Sequence, residues 1–138
     1  MNHNRNVMNS IFYIMQDRAE KHFNKGVAFA KAGEHAKAVA SFDRVLAIEP
    51  DNDMVWVLRG YVLDDLGRYS DALSSYDRAL AIRQDDPVTW FNRGIALRKL
   101  GRYTEAVASF DRALHLNPEY TVARKNREHA LKESGEEL

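Results

Sequence analysis

The sequence predicts an all-α fold in which three helix-turn-helix units follow one another and a C-terminal helix caps the last of them. Two observations predict it. The same residue types recur at a spacing of 34 residues in the segments 19–52, 53–86 and 87–120, which indicates a stacked repeat. Within each segment, apolar residues recur at three- and four-residue steps, the period of a helix that buries one face. The 138 residues include no cysteine, so the predicted fold depends on stacking and not on disulfides.

The recurring columns assign a pair of helices to each unit. A first glycine lies where the two helices are expected to cross, and a second glycine ends the first helix. An alanine and an aromatic residue, followed each time by Asp-Arg, form the buried stripe of the second helix. In chain order these columns are Gly26, Gly60 and Gly94; Gly33, Gly67 and Gly101; Ala38, Ala72 and Ala106; and Phe42, Tyr76 and Phe110. Since one unit cannot bury this stripe alone, the units must stack.

Capping residues predict where the helices begin. Asp86 and Pro87 are typical of an N-cap followed by proline at the first helical position. Ser70 and Thr104 share one column and are predicted to be the N-caps of the second helices in units two and three.

The last segment, 121–138, continues the register for one helix. Leu131 and Gly135 fall in a leucine column and in the column of the helix-ending glycine, whereas charged residues replace most of the other apolar ones. This pattern predicts a C-terminal capping helix with a polar outer face.

The first segment, 1–18, fits the repeat only weakly, and three interpretations remain open for it. Its apolar run at 11–15 would suit a helical cap that shields the edge of unit one. Alternatively, the segment lies in a concave groove of its own chain or of a neighbouring copy, or it is partly disordered. Residues 1–6, which are polar and rich in asparagine, are expected to be disordered in any case.

The columns of the third unit resemble the tetratricopeptide repeat (TPR). The residues that carry the resemblance are Trp90, Gly94, Leu97, Gly101, Tyr103, Ala106, Phe110, Ala113 and Pro118. The resemblance extends over 19–120 and implies a right-handed α-α superhelix, the TPR solenoid, whose first helices line a concave groove. It also implies a non-catalytic scaffold for protein-protein interaction. The main departure is a basic residue before each first glycine (Lys25, Arg59 and Arg93), whose stem we expect to pack while its charged head reaches water.

The residues expected to line the groove come from the first helices and the capping helix. They are Phe23, Asn24, Val27, Met54, Val57, Leu58, Tyr61, Val88, Phe91, Asn92, Ile95, Arg98 and Asn126. A contiguous apolar patch of this kind usually marks an interaction site, although about a third of its apolar members are expected to be inter-repeat core. The predicted ligand is therefore an amphipathic helix or an apolar extended peptide.

The resemblance also bears on one well-defined ligand class. TPR co-chaperones hold acidic C-terminal tails with a clamp of basic residues and asparagine. The corresponding positions here are Phe23, Val27, Leu58, Val88 and Asn92. They offer one asparagine and no cation, so a carboxylate clamp is not expected.

Other functions find little support in the sequence. The five histidines lack metal-ligand spacing and the glycines are single, so we expect no metal, no cofactor and no enzymatic activity. A formal net charge of zero argues against a nucleic-acid partner, and the run at 11–15 is too short to cross a membrane. Asp64 and Asp65 are interpreted as ion-pair partners of Arg98 and Lys99 one unit later, and not as a catalytic pair.

The sequence thus predicts an adaptor that binds a protein or peptide of unknown identity in its groove. The lack of cysteine and of a secretory leader pattern favours the cytoplasm. The alternative is a homo-oligomeric assembly module, such as a homodimer, in which the N-terminal apolar segment fills the groove of itself or of a second copy.

Overall fold

The computed structural model describes residues 2–135, and this part of the chain is a row of seven α-helices. They are α1 (Asn2–Lys31), α2 (His35–Ile48), α3 (Asp53–Asp65), α4 (Tyr69–Ile82), α5 (Pro87–Lys99), α6 (Tyr103–Leu116) and α7 (Thr121–Ser134). Each helix packs on the next along the chain. The predicted all-α array of helix pairs is therefore confirmed, with no strand in the described range.

The turns inside the units form as the glycine columns predict. Gly67 has φ +75°; its N–H donates to the Asp64 carbonyl, and the Arg68 N–H donates to the Leu63 carbonyl, both at 2.9 Å. This pairing satisfies the last carbonyls of α3 and requires a left-handed residue at the glycine position. Gly33 and Gly101 have nearly the same φ, so all three units turn in the same way.

One of the two predictions about helix starts is confirmed and the other is wrong. Asp86 accepts a hydrogen bond from the Val88 N–H and Pro87 opens α5, as predicted. However, α4 and α6 begin one residue before Ser70 and Thr104, without a side-chain cap. The chain re-enters a helix directly after the glycine turn, so these two residues already lie in the first turn.

The core lies between the two helices of each unit, where the first glycines allow a close crossing. A Cβ added to Gly60 would lie 2.6 Å from Cε1 of Tyr76, and Gly26 and Gly94 stand in the same relation to Phe42 and Phe110. These three aromatic rings are fully buried. The interhelical distance in each unit is therefore set by a ring lying against a bare backbone.

A polar ladder joins consecutive units. Arg59 of α3 donates from Nε to Asp43 of α2 at 2.6 Å and from Nη1 to the buried Ser75 of α4 at 2.7 Å. The same arrangement recurs 34 residues later at Arg93, Asp77 and Ser109, and Arg127 of α7 pairs with Asp111 of α6. The expectation that these charged heads reach water was wrong for Arg59 and Arg93, whose side chains are only 22% exposed because their guanidinium groups lie between two units. Lys25, in the same column of unit one, is exposed as expected.

The N-terminal segment is the largest departure from the repeat. Residues 2–18 are not a separate element; they continue α1, which has 30 residues where α3 and α5 have 13 each. No glycine or proline interrupts the chain before Gly26, so the helix has no reason to stop at the start of unit one. Residues 2–6, expected to be disordered, are helical, and residues 2–18 are exposed throughout. Residue 1 and residues 136–138 lie outside the described range.

Candidate functional site

The candidate site is the surface formed by the first helices of the units, called here the groove surface. Helix α3 contacts α5, and α5 contacts α7, while α1 and α3 together line a cavity. The second helices α2, α4 and α6 direct their buried aromatic rings toward the glycines of the first helices. This topology brings the predicted groove residues onto one side of the array.

The nine apolar residues predicted for the groove divide into two groups. Met54, Tyr61 and Val88 are strongly exposed, at 53%, 55% and 47%. The other six are half-buried and pack against the core: Phe23, Val27, Val57, Leu58, Phe91 and Ile95. The share that contacts the core thus exceeds the expected third, because residues on the flanks of a first helix touch the neighbouring helices as well as the groove.

An apolar notch lies between α1 and α3. Its volume is about 260 Å³, and its walls are Val27, Ala30, Lys31, Phe42, Leu58, Tyr61 and Val62. This is smaller than the roughly 300–1,000 Å³ of a small-molecule pocket. It fits one or two apolar side chains of a larger ligand. A second recess of about 380 Å³ at the N-terminal end includes Phe23 and Met54.

Phe91 is held in place by aromatic neighbours. Its ring centroid lies 5.9 Å from that of Phe110 and 5.1 Å from that of Tyr120, with both pairs tilted. Phe23 makes a similar contact with Phe42 at 6.3 Å. These contacts fix the floor of the groove surface, whereas its exposed residues are free to contact a ligand.

The polar residues predicted for the groove differ in how far they are already engaged. Arg98 donates to Glu133 of α7 at 2.6 Å and to the Asn126 amide oxygen at 3.4 Å, and Asn126 donates in turn to the Val122 carbonyl. Asn24 is exposed and Asn92 is half-buried. Arg98 and Asn126 therefore hold α7 against α5, and a ligand would have to compete with these bonds.

The expected ion pairs between Asp64–Asp65 and Arg98–Lys99 do not form, and that prediction was wrong. Among the described residues, each side chain except Asp65 has another partner. Asp64 accepts a hydrogen bond of 2.6 Å from the Tyr76 hydroxyl, Arg98 pairs with Glu133, and Lys99 Nζ lies 5.3 Å from the centre of the Tyr69 ring.

Asp64 is the most perturbed carboxyl group near the groove. Burial raises its pKa to about 6, while the Tyr76 hydrogen bond and the nearby Lys99 lower it and Asp65 raises it further. Its Oδ1 atom is buried without a hydrogen-bond partner. The sequence did contain a signal for this pair: unit two has tyrosine in the aromatic column, where the other units have phenylalanine.

Within residues 2–135, no group of three or more histidine, aspartate or glutamate residues could hold a metal ion. None of the described helices has the length and apolar composition needed to span a membrane.

Residues 19–52 and 57–121 match family models described as tetratricopeptide repeat. The fold is similar to that of the TPR domain of Arabidopsis OM64, with 25% identity, coverage of 86% of this chain and 98% of that one, and a TM-score of 0.81. No curated protein matches this chain significantly.

Two further solved structures share the fold at lower identity. The second TPR domain of human RPAP3, solved in complex with the HSP70 peptide SGPTIEEVD, is 22% identical and has a TM-score of 0.80, with coverage of 84% of this chain and 97% of that one. MamA is 20% identical with a TM-score of 0.84, and the match covers 88% of this chain and 66% of that one.

Proposed function

This chain belongs to the tetratricopeptide repeat family, and from that premise we propose that it is a non-catalytic adaptor that binds one segment of a partner protein on the groove surface. A related fold in human RPAP3 was solved with a bound peptide, and extended repeat surfaces are suited to such ligands. The absence of cysteine fits a reducing compartment such as the cytoplasm.

The observation that carries the proposal is the exposure of Met54, Tyr61 and Val88 on the groove surface, together with the apolar notch between α1 and α3. Large apolar side chains are unfavourable in water, and covering them with a ligand lowers the free energy of the complex. Tyr61 forms a wall of the notch, so a ligand side chain inserted there would contact its ring. Met54 can adapt its shape to different side chains.

The ligand we propose is apolar and not an acidic tail. Asp64 and Asp65 lie on the same helix as Tyr61, within four residues of it, and would repel a carboxylate-rich peptide. Arg98, a cation on the same surface, is already paired with Glu133. An amphipathic helix or extended segment with one or two large apolar side chains matches this surface best.

The test is selection from a random-peptide library followed by Kd measurement on the selected peptides. Tyr61→Asp and Val88→Asp should each weaken binding at least about 30-fold, because each places a charge in an apolar contact. Both side chains are exposed, so the circular-dichroism spectrum should stay unchanged. Phe91→Asp is a poorer probe, because Phe110 and Tyr120 pack on that ring.

Tyr13→Asp is the matched control for these variants. It makes the same chemical change at a tyrosine that is 67% exposed but lies in the N-terminal part of α1, away from the notch. Its peptide affinity should equal that of the unmodified chain. Peptides that bind equally well to the Tyr61→Asp and Val88→Asp variants would contradict the proposal.

The second candidate is an assembly module in which the N-terminal segment fills a groove. The observation in its favour is that the apolar residues at 11–15 are all exposed. Because α1 runs unbroken from Asn2 to Lys31, the segment cannot fold back into its own groove, and only a second copy could supply it. Self-association that Tyr61→Asp abolishes would favour this candidate over the first.

A further inference from the structure

The N-terminal half of α1 carries an apolar face that is left exposed by the rest of residues 2–135. Six large apolar side chains in it are 45–67% exposed. At 3.6 residues per turn they fall within an arc of about 160° on the helix, and Tyr13 lies on the opposite side. We call this surface the N-terminal apolar face; its residues are Val7, Met8, Ile11, Phe12, Ile14 and Met15.

This face continues the side of α1 that binds α2. Phe12, Ala19 and Gly26 are seven residues apart and therefore share one line along the helix. Ala19 is buried, and Gly26 lies against Phe42 of α2. Helix α2 ends at Ile48, and Phe12 and Met15 line a cavity with Ile48 and Glu49 at that end. Beyond this point α1 has the surface of a helix pair whose second helix is missing.

We propose that the same segment of a second copy supplies the missing helix, so that two N-terminal apolar faces pack antiparallel about a two-fold axis. The pairing is self-complementary when the axis passes between Ile11 and Phe12, since Met8 of each copy then lies opposite Met15 of the other. Such a symmetric contact between identical patches is the commonest way in which proteins dimerise. It is independent of the function proposed for the groove surface.

The direction of the pairing follows from the position of α2. Helix α2 runs antiparallel to α1, because Phe42 meets Gly26 whereas the later Val45 and Glu49 line a recess with Ala19. With the axis between Ile11 and Phe12, Met8 and Arg5 of the second copy lie opposite Met15 and Arg18, so a second copy packed antiparallel on α1 runs beside the last turn of α2 and parallel to it.

Charge favours this antiparallel arrangement. The C-terminal end of α2 is followed by Glu49 and Asp51, whereas the first turn of α1 has no acidic residue and is followed by Arg5. Helix C-termini carry partial negative charge and helix N-termini partial positive charge. An antiparallel pairing keeps the two α1 N-termini at opposite ends of the contact, whereas a parallel pairing would bring these like ends together.

The area is sufficient for a stable contact. With each large side chain about half exposed, the six residues offer roughly 600 Å² per copy, so that a dimer would bury roughly 1,200 Å², the lower end of the range for specific interfaces. Contacts between the second copy and the last turn of α2 would add to this area.

The test is the solution mass of the full chain, measured by size-exclusion chromatography with light scattering over a tenfold concentration range. We expect a dimer. Ile11→Glu, which places two carboxylates beside the two-fold axis, should raise the dimer dissociation constant at least about 100-fold. Tyr13→Glu, on the opposite side of the same helix, should leave the dimer intact. Both side chains are exposed, so neither change should unfold the chain.

Cross-linking tests the geometry separately. The chain contains no cysteine, so the Ile11→Cys variant can form a disulfide only with a second copy, and it should do so under mild oxidation. Asn9→Cys, an exposed control outside the apolar arc, should not. A monomer at every concentration, a dimer that survives Ile11→Glu, or a dimer that Tyr61→Asp disrupts would each overturn the proposal, the last by showing that the groove is the contact. Peptide binding retained by the Ile11→Glu monomer would show that the two surfaces act separately.

Discussion

Tyr76 of α4 donates its hydroxyl hydrogen to Asp64 of α3, with 2.6 Å between Oη and Oδ2. Burial raises the pKa of both groups, so the tyrosine stays protonated and remains the donor at any pH the protein meets. The bond is specific to unit two, since the other units have Phe42 and Phe110, which lack a hydroxyl group, at the position of Tyr76. The bond holds a titrating carboxyl group of α3 against the buried tyrosine of α4.

This pair predicts that stability depends on pH. The pKa of Asp64 is about 6 in the folded protein against an ordinary value of 3.8, so the folded state binds the extra proton and the free energy of unfolding falls as pH rises from about 4 to about 6. Asp64→Asn removes this carboxyl group. Because the carboxyl group is only partly buried, solvent screening reduces the full effect of the shift, and the variant should be more stable than the unmodified chain by about 2 kcal/mol at pH 7 and equally stable near pH 4.

Urea unfolding of both proteins over that pH range measures the difference. Tyr76→Phe serves as the companion variant: without the hydroxyl donor, which lowers the pKa of Asp64, the pH-dependent window should move upward. A constant difference between Asp64→Asn and the unmodified chain at all pH values would show that Asp64 titrates normally.

The close helix crossing predicts that Gly60 and Gly67 fail for different reasons when replaced by alanine. At Gly60 a methyl group would overlap the Tyr76 ring at 2.6 Å, and overpacking of this kind costs about 1–3 kcal/mol. At Gly67 nothing lies within 4 Å, but φ is +75°, a conformation that costs alanine about 1 kcal/mol. Combining Gly60→Ala with Tyr76→Leu should recover stability in thermal unfolding, whereas combining Gly67→Ala with Tyr76→Leu should not.

The inter-unit ladder predicts an asymmetry between two arginines. Arg59→Met should lower the free energy of unfolding by about 2 kcal/mol, because it leaves the buried Ser75 hydroxyl and the Asp43 carboxylate without their donor. Arg102→Met removes an ion pair with Glu105 in which both side chains are about half exposed, and should lower the free energy of unfolding far less than Arg59→Met does. Equal losses in denaturant unfolding would argue against a structural role for the ladder.

The hydrogen bonds of Arg98 predict that α7 can be destabilised without affecting the other helices. Arg98→Ala removes the contacts with Glu133 and Asn126, so amide hydrogens of α7 should exchange about tenfold faster while those of α3 and α4 keep their protection. Lys99→Ala, the neighbouring substitution on α5, should leave the exchange of α7 unchanged.

The repeat made most of the fold predictable from the sequence. Every unit has a glycine at the positions of Gly60 and Gly67. A glycine at the first position indicates a close helix crossing, and a glycine at the second indicates a left-handed turn. The start of α5 was predictable for the same reason, because Asp86 acts on the helix that it begins. Where the interaction is local, residue type and spacing are sufficient.

The rest depended on side chains that only the tertiary structure brings together. Arg59 bonds Asp43 and Ser75, each 16 residues away on another helix. The repeated Asp-Arg pair in the sequence does not indicate which helix supplies the arginine that bonds each aspartate. Asp64 had two possible partners, and it bonds Tyr76, which is nearer in the sequence, and not Arg98. The continuity of α1 was hidden because the repeat register suggested a boundary at residue 19, although no residue there stops a helix.

The ladder also makes the chain extensible. A second copy of residues 53–86, inserted directly after the first, would meet Asp77 on one side and Arg93 on the other, since Arg59 and Asp77 occupy the same places in their unit as Arg93 and Asp43 do in theirs. The ladder at the new junction would use the same arginine–aspartate pair as the junctions already present. The stability of the longer array should therefore be close to that expected from its repeats and their junctions, and the ladder allows this array to be lengthened by whole units.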